Sequence, residues 1–420
     1  MRTECNHTTK HIPFDKRERR SFLEEELRER TREWIVEMVN EELDIALGME
    51  WYERGEGRLG YRKGFRMRAI TTSNGKHEIA LPRAEFFEPD PVTGKRAWNS
   101  RLVPRYARRS EEVQEALVNS YLCGTNTRKI KKALGPLLQG AELSRSTISR
   151  ILAKLSRQFD EWQKKDLTEL DIAIVFLDGF NLKVRWAGKV EKVPVLSSIG
   201  VGVDGRKHLL SLTVRSSESE EAWRAVTEDL SKRGVKKAVL SVIDGNGGLR
   251  NAVGESWPWI DVQRCTKHKL ENLYSHAPKR LYDEIKQSYQ EIIYAEDKDR
   301  ARKAWKTFEK RWEKRCPEVV ESLREAGDEL LTFFDYPKMM WESIRTTNSI
   351  ERLNEEFRRR VKTQGSFPNR DSGLKLLFGL VATGVISMQR INGYRELPAV
   401  VAMKRIKAGL IEKNKVDHAA

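Results

Sequence analysis

The chain has 420 residues, enough for roughly two to four domains and a sizeable core. Its 78 basic and 62 acidic residues leave a net charge of +16, a third of the chain is charged, and the pI is near 9.6. Mixing of the two signs excludes a simple polybasic tail, and the surplus fits a polyanionic partner, nucleic acid before membrane. Four scattered cysteines, Cys5, Cys123, Cys265 and Cys316, form no disulfide framework and point to a reducing compartment. The first twenty residues contain no apolar signal-peptide core, so a cytoplasmic location is expected.

Residues 15–50 have helical periodicity, with Leu27, Trp34, Ile35, Met38, Val39 and Leu43 near one face. A glycine-rich stretch follows, in which "SNGK" (73–76) between alternating runs signals a β-hairpin. The hairpin carries Arg58, Arg62, Lys63, Arg66 and Arg68 interleaved with Tyr61 and Phe65. Such mixing suits a nucleic-acid contact surface, of which Arg62 and Arg66 are the expected contacts, or else an ordinary solvated strand face. Residues 108–164 read as three short helices. The first is capped by Ser110 and ends near Gly124, the second is "TRKIKKAL", and the third, "SRSTISRILAKLSRQFDEW", opens at serines 144 and 146. Short helix, turn and helix fit a helix-turn-helix, with Ser146, Thr147 and Arg150 of the last helix in the major groove; a plain bundle has the same pattern.

From residue 170 the texture changes to strands. "DIAIVFLDGFNLKVRW" is followed by a hairpin, "VPVLSSIGVGV" and "HLLSLTVRSS" joined by "DGRK". A capped helix, "SEEAWRAVTEDLSKRG", leads into the strand "KKAVLSVIDGNGG", and "WIDVQRCTKHKLENL" passes from strand to helix. The succession describes a mixed α/β sheet. Residues 275–340 switch to charged helices, and Trp305, Trp312 and Trp341 read as core rather than as base-stacking platforms. The apolar run at 376–388 is too short to span a bilayer and reads as a buried helix covering the sheet.

Two aspartates stand out. Asp178 interrupts an apolar strand and Asp244 ends another, positions that are costly unless the carboxylate is paired or bound to metal. Both precede glycine, and Asp-Gly is also an ordinary turn pair. Together on adjacent strands of a basic protein they favour a divalent-metal site. Phosphodiester chemistry uses such sites, because two Mg²⁺ ions roughly 3.5–4 Å apart can activate the attacking oxygen and stabilise the leaving one.

A third carboxylate is offered by "TTNSIERLNEEFRRRVK" (346–362). Ile350, Leu353, Phe357 and Val361 form its apolar stripe, and Glu351, Glu355, Arg358 and Lys362 share an arc of roughly 60° beside it. Asn348-x-x-Glu351 has capping-box spacing, so on the residues alone Glu351 and Glu355 are level as ligands. The run Arg358-Arg359-Arg360 follows at once, suited to phosphates or to a solvated helix end.

The stretch "DYPKMMWESIRTTNSIERLNEEFRRRVKTQGSFPN" resembles the C-terminal signature of bacterial mutator-type transposases, relatives of the plant Mutator elements. "FLDGFNLKVR", "SVIDGNGGL", "VQRCTKHKLENL" and "TRKI…SRSTISRI" occur in that family's order, over roughly residues 50–395. The resemblance implies an RNase H-like mixed sheet as catalytic core, an all-α insertion, and a mainly helical DNA-binding N-terminal region. By motif position it implies a DDE triad of Asp178, Asp244 and Glu351 holding two Mg²⁺ or Mn²⁺ ions. Arg358, Arg359, Arg360 and Lys362 would then hold DNA phosphates, with Arg358 and Lys362 nearest. The family's Cys-x-x-His falls on Cys265 and His268, which lack a second ligand pair for structural zinc and are expected beside the active site. Many relatives carry a histidine shortly after the second aspartate, where this chain has Asn246.

The expected organisation is an N-terminal segment with a basic hairpin (1–100), a helix-turn-helix-like domain (101–165), the first part of the catalytic core (166–274), a helical insertion (275–343), the remaining core helices (344–395) and a basic tail (396–420). The resemblance implies an insertion-sequence transposase that binds terminal inverted repeats and target DNA as a dimer or larger assembly, in the cytoplasm at the nucleoid, without a membrane partner. Competing readings are an inactive helix-turn-helix regulator and an RNase H-like nuclease that cuts without joining.

Overall fold

A computed structural model of the protein describes residues 16–53, 55–91, 93–106, 108–122, 145–186, 189–362, 367 and 370–412. The chain divides into two compact units, residues 1–121 with 125–152, and residues 122–124 with 153–420.

In the first unit a long helix, α1 (Lys16–Leu47), precedes the hairpin β1 (Gly60–Thr72) and β2 (Gly75–Phe86), whose register pairs Thr72 with Gly75 around Ser73 and Asn74. This is the hairpin expected at "SNGK". Val39 of α1 packs with Ile70, Ile79 and Val103, and Leu43 and Leu47 with Ala84. The face of α1 differs from expectation, since Leu27 and Trp34 are exposed. At about 100° per residue they stand roughly 120° and 140° around the helix from Val39, so one sheet cannot cover all three. Helix α2 (Glu111–Leu122) starts just after Ser110 and places Glu111 and Glu112 in its first turn, where the helix dipole favours acids. The expected second short helix, "TRKIKKAL", lies outside the described residues. Helix α3 (Arg145–Gln163) begins where the serines predict, and in the second unit its Phe159 and Trp162 pack against Phe378.

The second unit is built on a five-stranded mixed sheet. Its strands are β3 (Ile172–Trp186), β4 (Lys189–Gly202), β5 (Lys207–Val214), β6 (Leu240–Ile243) and β7 (Asp261–Arg264), in spatial order β5-β4-β3-β6-β7. Strands β3, β4 and β5 are antiparallel neighbours, while β6 and β7 continue the sheet from β3 in parallel. Parallel pairing requires crossovers, supplied by α4 (Glu220–Lys232) and α5 (Gly247–Ser256). Ser219 caps α4 by accepting from the Ala222 amide.

Side chains alternate along β3. Val175 and Leu177 join Trp223, Leu230, Val253 and Trp257 in the core under α4 and α5. The opposite face, which holds Asp178 and Phe180, receives the C-terminal helices. After α6 (Thr266–Ser275) come the insertion helices α7 (Tyr282–Ile293), α8 (Lys298–Trp312) and α9 (Pro317–Ala326), with Ile285, Ile292, Phe308, Trp312 and Leu323 fully buried or nearly so. Helix α10 (Asn348–Lys362) then buries Ile350, Leu353, Asn354, Phe357 and Val361, with the Phe357 ring 5.9 Å from that of Phe180. Helix α11 (Arg370–Ala382) lies on β5 and β3, as expected of the apolar run.

Residues 397–407, read from sequence as part of a basic tail, form helix α12 (Leu397–Lys407). Arg405 is buried, donating to the Lys237 and Ile172 carbonyls and pairing with Asp171 at 2.7 Å. Its charge fastens the helix to the sheet. Among the described residues no helix is long and apolar enough to cross a membrane.

Candidate active site

The parallel register of β3 and β6 pairs Phe176 with Val242, and extending it by two residues sets Asp178 beside Asp244. Asp178 is 8 % exposed and stays inside β3, paired with Ser197 of β4. Asp244 follows the last residue of β6, and one of its oxygens accepts from the Asn246 amide at 3.0 Å. Turn chemistry thus accounts for Asp244-Gly245 but not for Asp178-Gly179, which lies mid-strand. Asn246 caps α5 by accepting from the Leu249 amide at 3.1 Å. Burial raises the Asp178 carboxyl to about 6, and the neighbouring Asp244 charge adds to the rise, against a hydrogen bond from Asn354 and the charge of His268.

Helix α10 is locked to this strand by a buried polar triad. The Asn354 amide donates to Asp178 Oδ2 at 2.8 Å, while the Ser197 hydroxyl lies 3.0 Å from the Asp178 carbonyl and 3.1 Å from Asn354 Oδ1. Neither Asn354 nor Ser197 was legible as a site residue from sequence. Asn354 stands on the apolar stripe of its helix, and a buried polar residue there is the signal that could have found it.

Glu351 lies one helical turn before Asn354. It accepts from Lys267 Nζ at 2.8 Å and from the Thr347 hydroxyl at 2.5 Å, and its carboxylate is 3.8 Å from His268 Nε2. The capping-box alternative is not what forms, because Asn348 is already the first residue of α10 and the Glu351 carboxylate is taken by Lys267 and Thr347. Burial raises the Glu351 carboxyl, but these hydrogen bonds and the His268 charge outweigh it and hold the group below its usual range. Glu355 is exposed.

Cys265 and His268, at the start of α6, complete the cluster. The buried Cys265 thiol lies 3.2 Å from the Thr347 hydroxyl, and a hydrogen bond with Cys265 carries His268 up to about 9 against its burial. Ligand atoms of Cys265, His268 and Glu351 lie within 4.8 Å of one another. Thiol and imidazole suit a softer cation than Mg²⁺, whereas Asp178 and Asp244 offer the hard oxygens that Mg²⁺ demands. Two like charges, one of them buried, fit a divalent cation at the aspartates.

One further carboxylate was missed. Glu218, in the link before α4, lies against Gly179, and burial together with the Asp244 charge raises its carboxyl. Its surroundings, "RSSESEEAW", read as nothing more than a helix start.

The expected basic contacts divide. Arg358 and Lys362 are exposed and have no ion pair among the described residues, while Arg359 and Arg360 lie 2.6 and 3.9 Å from Glu356. In the first unit Arg62 pairs with Asp44 and lies over the Trp51 ring at 4.6 Å, leaving its side chain 14 % exposed, whereas Arg66 is exposed. Ser146, Thr147 and Arg150 fall on α3, but their side chains lie outside the described residues.

An acid inside β3 and another just past the end of β6, faced by a helix that ends in cations, suit a divalent cation and a polyanionic substrate. A family model described as "Transposase, Mutator family" matches residues 3–385. The transposase for insertion sequence element ISRM5 of Rhizobium meliloti is 33 % identical over 368 residues, covering 88 % of this chain and 90 % of the relative. That for IS406 of Burkholderia multivorans is 33 % identical over 357 residues, 82 % of this chain and 88 % of the relative. A solved chain described as "Drosophila P element transposase strand transfer complex" is 12 % identical with a TM-score of 0.30, covering 76 % of this chain and 91 % of that one, a likeness too low to bear on fold or mechanism. The chain belongs to the Mutator family of transposases and is, like its insertion-sequence relatives, an insertion-sequence transposase.

The buried triad now has a testable consequence. Asn354→Leu keeps the branched outline but strands Asp178 Oδ2, while the Ser197 hydroxyl retains the Asp178 carbonyl, and should cost about 1–3 kcal/mol of stability in urea unfolding. DNA cleavage should fall with it while DNA-end affinity is retained. Cleavage at the parental rate would show that Asp178 needs no such anchor.

Proposed function

We propose that Asp178, Asp244 and Glu351 form the DDE triad of an RNase H-like core that cleaves the ends of its own element and transfers them to target DNA. The observation that carries this is the parallel pairing of β3 and β6, which sets the two aspartates side by side beneath the helix that bears Glu351. The strand order, with the first strand central, antiparallel to one side and parallel to the other, supports the RNase H-like reading.

Two Mg²⁺ or Mn²⁺ ions, held by these carboxylates, would supply activation of the attacking oxygen and stabilisation of the leaving one. Asp178 and Asp244 provide oxygens fixed by strand geometry. Glu351 would have to leave Lys267 to join them. Lys267 would then be free to meet a phosphate. Arg358 and Lys362, exposed at the far end of α10, would hold the DNA backbone, and Arg359 and Arg360 would do so only after parting from Glu356. No covalent protein–DNA intermediate is required, since water attacks first and the freed 3′-hydroxyl second.

Recognition of the terminal inverted repeats is assigned to residues 1–165, through a helix-turn-helix at 101–165 whose last helix is α3, with Arg66 of the hairpin as an added phosphate contact. Arg62, tied to Asp44, is a weaker candidate. Residues 166–274 and 344–395 would form the catalytic core around a helical insertion at 275–343. Two ends must be joined, so the working form would be a dimer or larger assembly, acting at the nucleoid.

Incubating the protein and Mg²⁺ with a labelled element end should yield strand-transfer products. Cleavage without any joined product would instead identify a nuclease. A fragment beginning near residue 165 should lose preference for its own ends in a binding competition. If that fragment still selects them, the helix-turn-helix assignment fails.

A further inference from the structure

We infer that Glu218 is a fourth carboxylate of the metal site, binding a divalent cation alongside Asp178 and Asp244. The inference rests on the site reading proposed above and adds a ligand to it. Gly179 follows Asp178 inside β3, where it pairs with Leu196 and needs no unusual backbone angle. What the glycine leaves open is room for a carboxylate, which a side chain here would push aside. A Cβ at this position would stand 2.6 Å from Glu218 Oε1, 2.7 Å from Cδ and 3.0 Å from Oε2. Contacts that short do not occur, so the Glu218 carboxylate occupies the space that any other residue at 179 would fill. The bare stretch of strand next to Asp178 is therefore a seat for a carboxylate.

The company Glu218 keeps is the second observation. Among the described residues it has no hydrogen-bond donor and no ion pair, and the charged group that acts on it is Asp244, of like sign. Glu351 differs, being already neutralised by Lys267 at 2.8 Å. Asp244, just past the end of β6, meets a like charge from Asp178 inside β3 and another from Glu218 seated against bare backbone, in a partly dehydrated site. A cation that prefers hard oxygens and keeps several waters relieves this repulsion, and three or four carboxylates are enough to hold it. Sequence position supports the arrangement, because Glu218 immediately precedes the Ser219 cap, which fixes where α4 begins and so limits where the carboxylate can move.

The test is titration of the full-length protein with Mn²⁺ by calorimetry, with metal-free melting temperatures as a folding control. Glu218→Gln preserves shape and should weaken Mn²⁺ binding about 10–100-fold without lowering the metal-free melting temperature. Gly179→Ala, which displaces the carboxylate without removing it, should weaken binding in the same direction and covers the case in which the first variant does not fold. Parental affinity in both variants, with binding lost in Asp178→Asn, would overturn the role of Glu218 and leave the aspartate site standing. Parental affinity in Asp178→Asn as well would overturn the site reading itself, and the inference with it.

Discussion

Asp178→Asn should abolish DNA cleavage and yet raise the melting temperature of the metal-free protein at neutral pH. The loss of cleavage is expected to exceed about a thousand-fold, on the order of 4 kcal/mol of barrier, because the substitution removes one of the fixed charges that would hold the cations. The gain in stability comes from the same charge. Burial, with Asp244 beside it, raises the Asp178 carboxyl to about 6 from an ordinary 3.8, so the folded protein favours the protonated acid. A raised acid is harmless while both folded and unfolded chains are protonated. Its stabilising contribution is lost as pH rises through about 6, where the folded chain is forced to ionise a buried group. Asparagine escapes that cost. Its amide can be accommodated because Asn354 can turn its own amide, offering its oxygen to the new donor and its nitrogen to the Ser197 hydroxyl.

The difference in melting temperature between variant and parent, measured in a chelator, should therefore be largest near about pH 8 and vanish near about pH 4. His268, raised to about 9, stays cationic across this window, so the ease it gives Asp178 in the folded parent does not vary with pH there. Adding Mg²⁺ should reverse the order by stabilising the parent alone. A variant that cuts normally, or that melts lower than the parent at every pH, would remove Asp178 from the site.

How much of this was readable in advance follows from what each residue does. Strands β3 to β7 were legible because buried strands write apolar runs, and the connecting helix α4 because serine and glutamates open it and glycine follows it. The paired aspartates were legible because a charge in an apolar run is an anomaly. Other parts of the site leave no such mark. Glu218 is hidden in a charged helix start, Thr347 is one threonine of a pair, and Lys267 is one lysine among many. Their significance is the distance to a partner 84 residues away for Lys267 and Glu351, which no local pattern encodes. Asn354 is the intermediate case, visible as a polar residue on a buried stripe yet silent about its partner on β3. The same limit explains Arg405. A basic segment near the end of a chain reads as solvated, and only the carbonyls of Lys237 and Ile172 make it a buried anchor.

The choice between Glu351 and Glu355 turns on the direction of a helix that sequence cannot orient. On α10 they are one turn apart and share the arc beside the apolar stripe. Once Asn354 is fastened to Asp178, they part company. Glu351 is 15 % exposed and sits among Lys267, Thr347 and His268, whereas Glu355 is exposed to solvent with no ion pair among the described residues. Glu351→Gln should accordingly lower cleavage by about a hundred-fold or more, since the shape remains and only the charge available to a cation is lost. Glu355→Gln should stay within about three-fold of the parent, the scale of a solvated surface charge. Both variants should bind element ends as the parent does, which separates loss of chemistry from loss of DNA. The opposite pattern would move the third acid one turn along α10, and would require the helix to rotate and break the Asn354–Asp178 bond. Lys267→Met adds a check, because it frees Glu351 from its ion pair without touching the acids. If Glu351 must leave Lys267 to act, this variant should bind Mn²⁺ at least as tightly as the parent, even where it has lost a contact to DNA.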